Sequence, residues 1–259
     1  MTNSRQAQLI VHRGADNPSQ YVWSPFVTKI EFRLRLAGLS YTCGVQGPAS
    51  GPKGKIPWIE LSTAEHEPEV LSDSYLIPKA LIKKGLAHDL NEPLSAKEKG
   101  HDIAIRALLE DKLFFYNVRE RWIGNFITMR DYTMAKIPMP QRVAAGEQAY
   151  RANIQKLHDQ GTGRFTDDEI HVSRKEIWEG INAMLKDSQK MANSDKCFWV
   201  LGSDNPTEAD TTVYGFIVST LIAESGPLSK QLVQTECPAV IEYATRIHLR
   251  YFADYEMWS

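Results

Sequence analysis

Residues 47–61, GPASGPKGKIPWIEL, and residues 69–74, EVLSDS, decide the fold. The first stretch is a Gly/Pro/Lys loop that runs into a short apolar segment after Pro57, and the second ends in two candidate helix-capping residues. Each stretch is predicted to contain a strand. The acidic segment between Ser62 and Pro68 has the length of a hairpin loop, so these two strands are predicted to be antiparallel.

A strand, a helix and a second strand are predicted before this pair. Residues 8–12, QLIVH, are a β-branched run of the kind found in buried strands. Ser24 and Pro25 suit the N-cap and first turn of a helix, and apolar residues recur at helical spacing until Gly38. SYTCGV, from Ser40, is predicted to be the next strand. The two strands should be parallel, with a right-handed crossover.

The remaining chain is predicted to be helical. SDSYLIPKALIKKG, from Ser72, indicates a helix, although Pro78 requires either a kink or a later start. Residues 86–94 are typical of a linker, and helical periodicity follows at 95–120, 141–158, 167–192, 207–222 and 238–252. The predicted order is β-α-β-β-β-α in residues 1–85, and then an all-helical part at 95–259.

Composition excludes several classes of partner. Thirty basic side chains oppose 32 acidic ones, which leaves no global field to attract nucleic acid. The three cysteines are far apart and lack metal-ligand spacing, so we expect a reducing compartment and no bound metal. The first twenty residues lack a secretory signal, and no window approaches the roughly 18 consecutive apolar residues of a membrane span. We expect a cytoplasmic protein.

Four motifs, in this order, resemble the glutathione transferase superfamily: SPFVTKIEFRLRLAGLSY, GPKGKIPWIEL, LSDSYLI and PTEADTTVYGFI. Within that superfamily they are most similar to the branch of failed-axon-connections and metaxin-type proteins. The resemblance covers nearly the full chain. It implies a thioredoxin-like domain at 1–85, a linker at 86–94, an all-helical domain at 95–259, glutathione as cosubstrate and a two-fold dimer.

The resemblance also implies a glutathione site on the N-terminal domain. Ile56 would pair its backbone with the cysteinyl backbone of the tripeptide, and the Ile56–Pro57 bond would be cis. Asp73 would accept the γ-glutamyl ammonium, and Ser74, at a helix N-terminus, would hold the carboxylate. Asp73 and Ser74 would look identical as pure helix caps, and Pro57 has the alternative role of starting a strand.

Two lysines and two hydroxyls complete the predicted site. Lys53 and Lys55 are candidates for the glycyl carboxylate, with a solvated loop lysine as the alternative. At the positive end of a helix, a hydroxyl that donates to a thiolate lowers the thiol pKa. We therefore assign this role to Ser24, with Tyr21 as the second candidate. Because Ser24 and Val27 stand where redox relatives carry cysteine, the sequence favours conjugation, addition or isomerisation.

A hydrophobic electrophile is expected between the two domains, in detoxification or secondary metabolism. Phe115, Arg119 and Trp122 are the predicted pocket residues, on an aromatic-rich helix face. Arg119 or Arg121 is a candidate for steadying a developing enolate or carboxylate. Aromatic residues at helical spacing are also common in cores. The prediction is a glutathione-dependent transferase, and the alternative is a glutathione-independent isomerase or a binding or scaffold protein.

Overall fold

Four strands form one mixed sheet in the N-terminal part of the chain. The computed structural model describes residues 8–63, 68–192 and 196–258, so most of the predicted hairpin loop lies outside the described residues. The strands are β1 (Gln8–His12), β2 (Thr42–Gly44), β3 (Trp58–Ser62) and β4 (Glu69–Ser72), in the spatial order β2-β1-β3-β4. β1 is parallel to β2, and β3 is antiparallel to β4, which confirms both predictions.

Two helices pack on this sheet. They are α1 (Pro25–Leu36) and α2 (Leu76–Lys83), which bury Ile30 and Ile77 in the same apolar cluster as the β-strand residues Val11 and Ile59. Because α2 begins at Leu76, Pro78 lies in its first turn, where a missing N–H removes no hydrogen bond. The later of the two predicted helix starts is therefore the observed one.

The rest of the chain is helical. Two π-helical turns, at Leu108–Leu113 and Arg119–Gly124, divide the helix that was predicted at 95–120. No helix in the described part of the chain has both the length and the apolar character that a membrane span requires. The helices are α3 (Ala96–Ala107), α4 (Phe114–Val118), α5 (Phe126–Thr133), α6 (Gln141–Gln160), α7 (Asp167–Met191), α8 (Glu208–Ile222), α9 (Pro227–Glu236) and α10 (Pro238–Tyr251).

The helix α8 forms the centre of the structure, and every residue from Ala209 to Leu221 is buried. Its start carries the capping box that the sequence predicts, because the backbone N–H of Thr207 donates to Oδ2 of Asp210 over 2.7 Å. Oδ1 of Asp210 accepts from the N–H of Val200 and from the hydroxyl of Tyr243. This carboxylate therefore ties the start of α8 to α10.

A close backbone contact joins α8 to α1. At Gly215, a Cβ atom would lie 2.4 Å from the carbonyl oxygen of Pro25 and 3.1 Å from the backbone nitrogen of Lys29. Only glycine leaves room for this approach. Next to it, the Lys29 ammonium pairs with Glu110 at 2.6 Å. The first turn of α1 is thus held directly against the central helix.

The C-terminal residues return to the N-terminal part of the chain. Asp254 accepts two hydrogen bonds from the guanidinium of Arg35, and Tyr255 donates to Glu31 over 2.9 Å. Glu31 also pairs with Arg13 at 3.1 Å, and both of these side chains are fully buried. Replacing only one member of a buried ion pair leaves the other charge buried and unpaired, which lowers the free energy of unfolding. These contacts join the C-terminal residues to α1 and to the segment that follows β1.

The glycine contact predicts opposite effects for the same substitution at two helix positions. We expect Gly215→Ala to lower the free energy of unfolding by about 2–3 kcal/mol, because the added methyl group overlaps the carbonyl of Pro25. Gly180→Ala, at an exposed position on α7 with open space around it, should raise the free energy by about 0.5–1 kcal/mol. Urea unfolding monitored by circular dichroism measures both values. Equal effects at the two positions would contradict the close contact.

Candidate active site

The hydroxyl of Ser24 is not used to cap its own helix. Ser24 stands at the N-cap position of α1 with extended backbone angles, yet its side chain makes no capping hydrogen bond. Its carbonyl accepts from the N–H of Val27 over 3.2 Å, and its side chain is half-buried. Within the part of the chain that the structure describes, the hydroxyl has no protein partner. It is free to donate to a ligand at the positive end of α1.

Both backbone groups of the preceding residue, Trp23, are held by the helical part of the chain. Its carbonyl accepts from Nη1 of Arg121 over 3.1 Å and from the hydroxyl of Ser219 over 2.5 Å. Its N–H donates to the hydroxyl of Tyr132 over 3.1 Å, and its indole stacks on the Tyr132 ring at 3.7 Å. The helical part of the chain therefore determines where Ser24 lies.

The guanidinium of Arg121 is held within the protein. It is buried, and besides Trp23 it binds the hydroxyl and the carbonyl of Ser219 over 3.0 and 2.9 Å. Burial lowers the pKa of Arg121 to about 10, so the group stays charged at neutral pH. Its hydrogen bonds are directed at the protein, and the role of Arg121 in steadying a developing enolate or carboxylate stays a prediction.

The loop before β3 presents unpaired backbone groups. The Ile56–Pro57 bond is cis, which is the isomer that the resemblance implies. Among the described residues, neither the N–H nor the C=O of Ile56 has a hydrogen-bond partner. Lys53 and Lys55 are both exposed. Desolvation lowers the pKa of Lys156 on α6, and the positive charge of Lys55 lowers it further.

The turn into α2 combines a side-chain hydrogen bond with an unusual backbone angle. Asp73 has φ of +84°, and it is the one non-glycine residue with positive φ in the described ranges. Its carboxylate accepts from the N–H of Tyr75 over 2.9 Å and so closes the turn that precedes the helix, while α2 itself has no side-chain cap. Ser74 is only 8% exposed, and its side chain lacks a hydrogen-bond partner in the same ranges. Residues held in such strained conformations often mark binding sites.

A cavity of about 360 Å³ begins at Ser74. It lies between α2 and α3, and Lys29 of α1 and Glu208 of α8 also line it. Ser74 thus faces open space at the N-terminus of a helix, where an anion is favoured.

Aromatic rings connect Phe26 of α1 with the helical part of the chain. The centroid of the Phe26 ring lies 5.1 Å from that of Phe114, which lies 5.3 Å from that of Phe115. All three rings are half-buried and meet edge to face. Trp122 is also half-buried, on the second π-helical turn. Phe115 thus lies beside the ring that contacts Phe26 of α1. Trp122 lies on the π-helical turn that binds the carbonyl of Trp23.

Tyr21 lies in the core. Its hydroxyl bonds to the hydroxyl of Tyr214 over 2.6 Å and to Nδ1 of His248 over 2.8 Å, and the ring packs against Tyr255. Burial raises its pKa, so the hydroxyl stays protonated. The role of Tyr21 as the second candidate for activating a thiolate stays a prediction, and its hydroxyl is already engaged by two side chains of the helical part.

Two further candidates are bound to carboxylates elsewhere in the fold. Nε of Arg119 pairs with Asp167 at the start of α7 over 2.9 Å, and its substrate role stays a prediction. His12, the candidate base nearest to Ser24 in sequence, bonds to Glu60 over 2.9 Å and stacks on Trp58. Among the described residues, no base is hydrogen-bonded to the hydroxyl of Ser24.

Residues 25–127 match the model of the glutathione S-transferase N-terminal domain. Over this segment the chain is similar to the glutathione transferase superfamily. Failed axon connections of Drosophila melanogaster is 23% identical to it over 271 residues, which cover 98% of this chain and 60% of that protein. The chain therefore spans less than two thirds of the length of that relative.

Solved glutathione transferases share the fold of this chain. Glutathione transferase GSTFuA3 from Phanerochaete chrysosporium superimposes with a TM-score of 0.59 at 14% identity, over 97% of this chain and 98% of that chain. A family member from Pseudomonas fluorescens, with two glutathione molecules bound, gives a TM-score of 0.53 at 14% identity, over 97% and 94% of the two chains. At these identities the likeness shows the fold.

One residue of the site is absent from the sequence-based prediction. Tyr132 lies on α5, a helix of eight residues that carries no capping motif. Its contact with Trp23 is long-range, so no local pattern identifies it.

The contact between Tyr132 and Trp23 predicts a graded loss of stability. Tyr132→Phe keeps the stacked ring but leaves the N–H of Trp23 without its acceptor, so the free energy of unfolding should fall by about 1 kcal/mol. Tyr132→Ala also removes the stack, and the total loss should reach about 3 kcal/mol. Tyr150→Phe is the matched control, because the Tyr150 hydroxyl makes no hydrogen bond in the described part of the chain. A loss in the control as large as in Tyr132→Phe would refute the assigned hydrogen bond.

Proposed function

We propose that this protein is a glutathione-dependent transferase that acts on a hydrophobic electrophile. The proposal rests on the position of the Ser24 hydroxyl, which stands at the positive end of α1 and makes no capping hydrogen bond. A donor at this position stabilises a thiolate and lowers the pKa of the thiol. Solved structures with the same fold contain glutathione, which supports the tripeptide as cosubstrate.

The tripeptide would extend from Ser24 along the loop before β3 and the turn into α2. The unpaired N–H and C=O of Ile56 would bind the cysteinyl backbone. Asp73 would accept the γ-glutamyl ammonium, while the hydroxyl of Ser74 would donate to its carboxylate at the start of α2. Lys55, with Lys53 in the same loop, would attract the glycyl carboxylate.

The proposed reaction uses the sulfur of the ligand and no protein nucleophile. Glutathione loses its thiol proton to solvent, and the hydroxyl of Ser24 donates a hydrogen bond to the resulting thiolate. The sulfur then attacks an electrophilic carbon, and either a leaving group departs or the adjacent carbon takes up a proton. Ser24 itself lacks a base, because His12 is bonded to Glu60, so a covalent serine intermediate is not part of the proposal.

The electrophile would lie against the aromatic rings on the helical side. Phe26 and Phe115 offer half-buried apolar faces, and Trp122 lies further along the same segment. Such a surface suits a planar or hydrophobic molecule. Conjugation, addition and isomerisation all use this arrangement, and the substrate decides among them.

A binding or scaffold function is the second candidate. The stacked rings of Trp23 and Tyr132 lie beside the residue that should approach the thiolate, and such a stack narrows the space for an electrophile. In that case the chain would bind a ligand without turning it over. Binding of glutathione without reaction towards any electrophile favours this candidate.

The two-fold dimer and the cytoplasmic location stay predictions. Tyr75 and Leu76, at the start of α2, are exposed and apolar, which is compatible with an interface formed by this helix. Sedimentation velocity distinguishes one chain from two.

Calorimetric titration with glutathione tests the binding part of the proposal. We expect binding at millimolar concentration or tighter, and similar binding in Ser24→Ala. Absence of heat at millimolar glutathione would contradict the proposal.

Ser24→Ala tests the catalytic part. We expect kcat/KM with 1-chloro-2,4-dinitrobenzene to fall about 10- to 100-fold, because the thiolate loses a donor. The pKa of bound glutathione, followed by thiolate absorbance at 240 nm, should rise by about one unit or more. Ser24→Thr keeps a hydroxyl and should retain most activity, while Ser173→Ala on α7 is the control. An unchanged thiol pKa in Ser24→Ala would remove Ser24 from the mechanism.

A further inference from the structure

Arg121 carries a positive charge in the protein interior without a carboxylate partner among the described residues. The residue is 6% exposed, and its three hydrogen bonds go to the carbonyl of Trp23 and to the carbonyl and hydroxyl of Ser219. Its Nε has no hydrogen-bond partner in the same part of the chain. Because all of these acceptors are neutral, they leave the charge of the guanidinium uncompensated. A buried ion in this state is costly to the fold.

The other buried lysine and arginine side chains in the described ranges all have a carboxylate partner. Each of these ion pairs joins a nitrogen and an oxygen that are 3.1 Å apart or less. The fold therefore supplies a counter-charge to every buried cation that the structure describes except Arg121. The pairs are Arg13 with Glu31, Lys29 with Glu110, Arg33 with Glu208, Arg130 with Asp131 and Arg174 with Glu120.

The carboxylate that precedes Arg121 in the sequence is bonded to other groups. The π-helical turn Arg119–Gly124 buries Glu120 as well as Arg121. Glu120 accepts from the guanidinium of Arg174 over 2.6 Å and from two backbone N–H groups at the start of α9 over 2.8 and 3.1 Å. Burial lowers the pKa of Arg121, and the negative charge of Glu120 opposes this effect only in part. Glu120 thus acts on Arg121 at a distance and does not pair with it.

The uncompensated charge lies close to Ser24. Nη1 of Arg121 donates to the carbonyl of Trp23, which belongs to the same peptide unit as the nitrogen of Ser24. Standard bond lengths therefore place the guanidinium within about 12 Å of an atom that is hydrogen-bonded to the Ser24 hydroxyl. Tyr132, which also binds the backbone of Trp23, is affected as well: burial raises its pKa, and the charges of Arg13 and Arg121 lower it. The charge thus adds to the positive end of α1.

We propose that Arg121 is a positioning residue whose unmatched charge stabilises a thiolate held by Ser24. The inference rests on the transferase function proposed above, because the sulfur of bound glutathione is the anion that this charge would meet. Arg121 acts from behind the Trp23 carbonyl and does not touch the sulfur, so the hydroxyl of Ser24 is still the direct donor. At an effective dielectric constant of about 20, a unit charge about 12 Å away lowers a thiol pKa by about one unit.

Gly226 allows the charge to be neutralised without replacing Arg121. A Cβ atom at Gly226 would lie 3.4 Å from Nε of Arg121, which is an ordinary contact, and its φ of −122° suits any residue. Gly226→Asp therefore places a carboxylate beside the unpaired Nε. Gly226→Asn is the matched control, because it adds a side chain of the same shape without the charge. Both variants leave the hydrogen bonds from Arg121 to Trp23 and Ser219 in place.

Ser24→Cys supplies a thiol at this position without glutathione, and the pH dependence of its alkylation by iodoacetamide gives the thiol pKa. Peptide mass spectrometry separates it from the three native cysteines. In this background we expect Gly226→Asp to raise the thiol pKa by about one unit relative to Gly226→Asn. Arg121→Met should raise it by a similar amount relative to Arg121→Lys, and this second pair decides if Gly226→Asp does not fold by circular dichroism. Equal thiol pKa values within the folded pair would overturn the proposal.

The same pairs, with the native serine, are then compared with glutathione. We expect Gly226→Asp to raise the pKa of bound glutathione by about one unit and to lower kcat/KM with 1-chloro-2,4-dinitrobenzene about three- to tenfold below that pKa. Above it, where the thiol is fully ionised, the rate should change little. Absence of glutathione binding would contradict the transferase function, while the alkylation result would still test Arg121. Binding with an unshifted thiol pKa would overturn the role of Arg121 and leave the transferase proposal intact.

Discussion

The contact between α1 and α8 at Gly215 is the constraint on which the candidate site depends. Because α8 is buried on all sides, the packing of the helical part determines its position. The absence of a side chain at Gly215 lets the first turn of α1 rest directly on this helix. Ser24 begins that turn. The direction of its hydroxyl is therefore set by the core of the other half of the chain and not only by the local sequence.

The sequence predicts most of the N-terminal architecture because each element there carries its own signal. Ser24 and Pro25 indicate a helix start, and the run from Pro57 to Leu61 indicates a strand. Thr207 and Asp210 likewise predict a capping box, which the structure contains. These signals arise from contacts between residues three or four positions apart, so a local sequence pattern is enough to predict them.

The relations that complete the site are not local, and the sequence does not reveal them. Tyr21 is three residues from Ser24, yet the chain turns between them and buries its ring among C-terminal aromatic residues. In the sequence Arg121 is a candidate for substrate binding, but in the structure its guanidinium is hydrogen-bonded to Ser219 and to the backbone of Trp23. The helices α5 and α9 are short and lack capping boxes, so periodicity does not identify them.

The hydrogen bonds from the helical part to the backbone of Trp23 also restrict which residues related proteins can replace without changing this site. A thioredoxin-like unit is often regarded as a module that keeps its chemistry when it is joined to new partners. Here, both backbone groups of the residue before Ser24 are bound by side chains from the helical part of the chain. A relative that keeps the SPF motif but replaces Arg121, Tyr132 or Ser219 loses a contact that holds the backbone next to the serine. A comparison of relatives at this candidate site therefore includes these three distant positions as well as the motif.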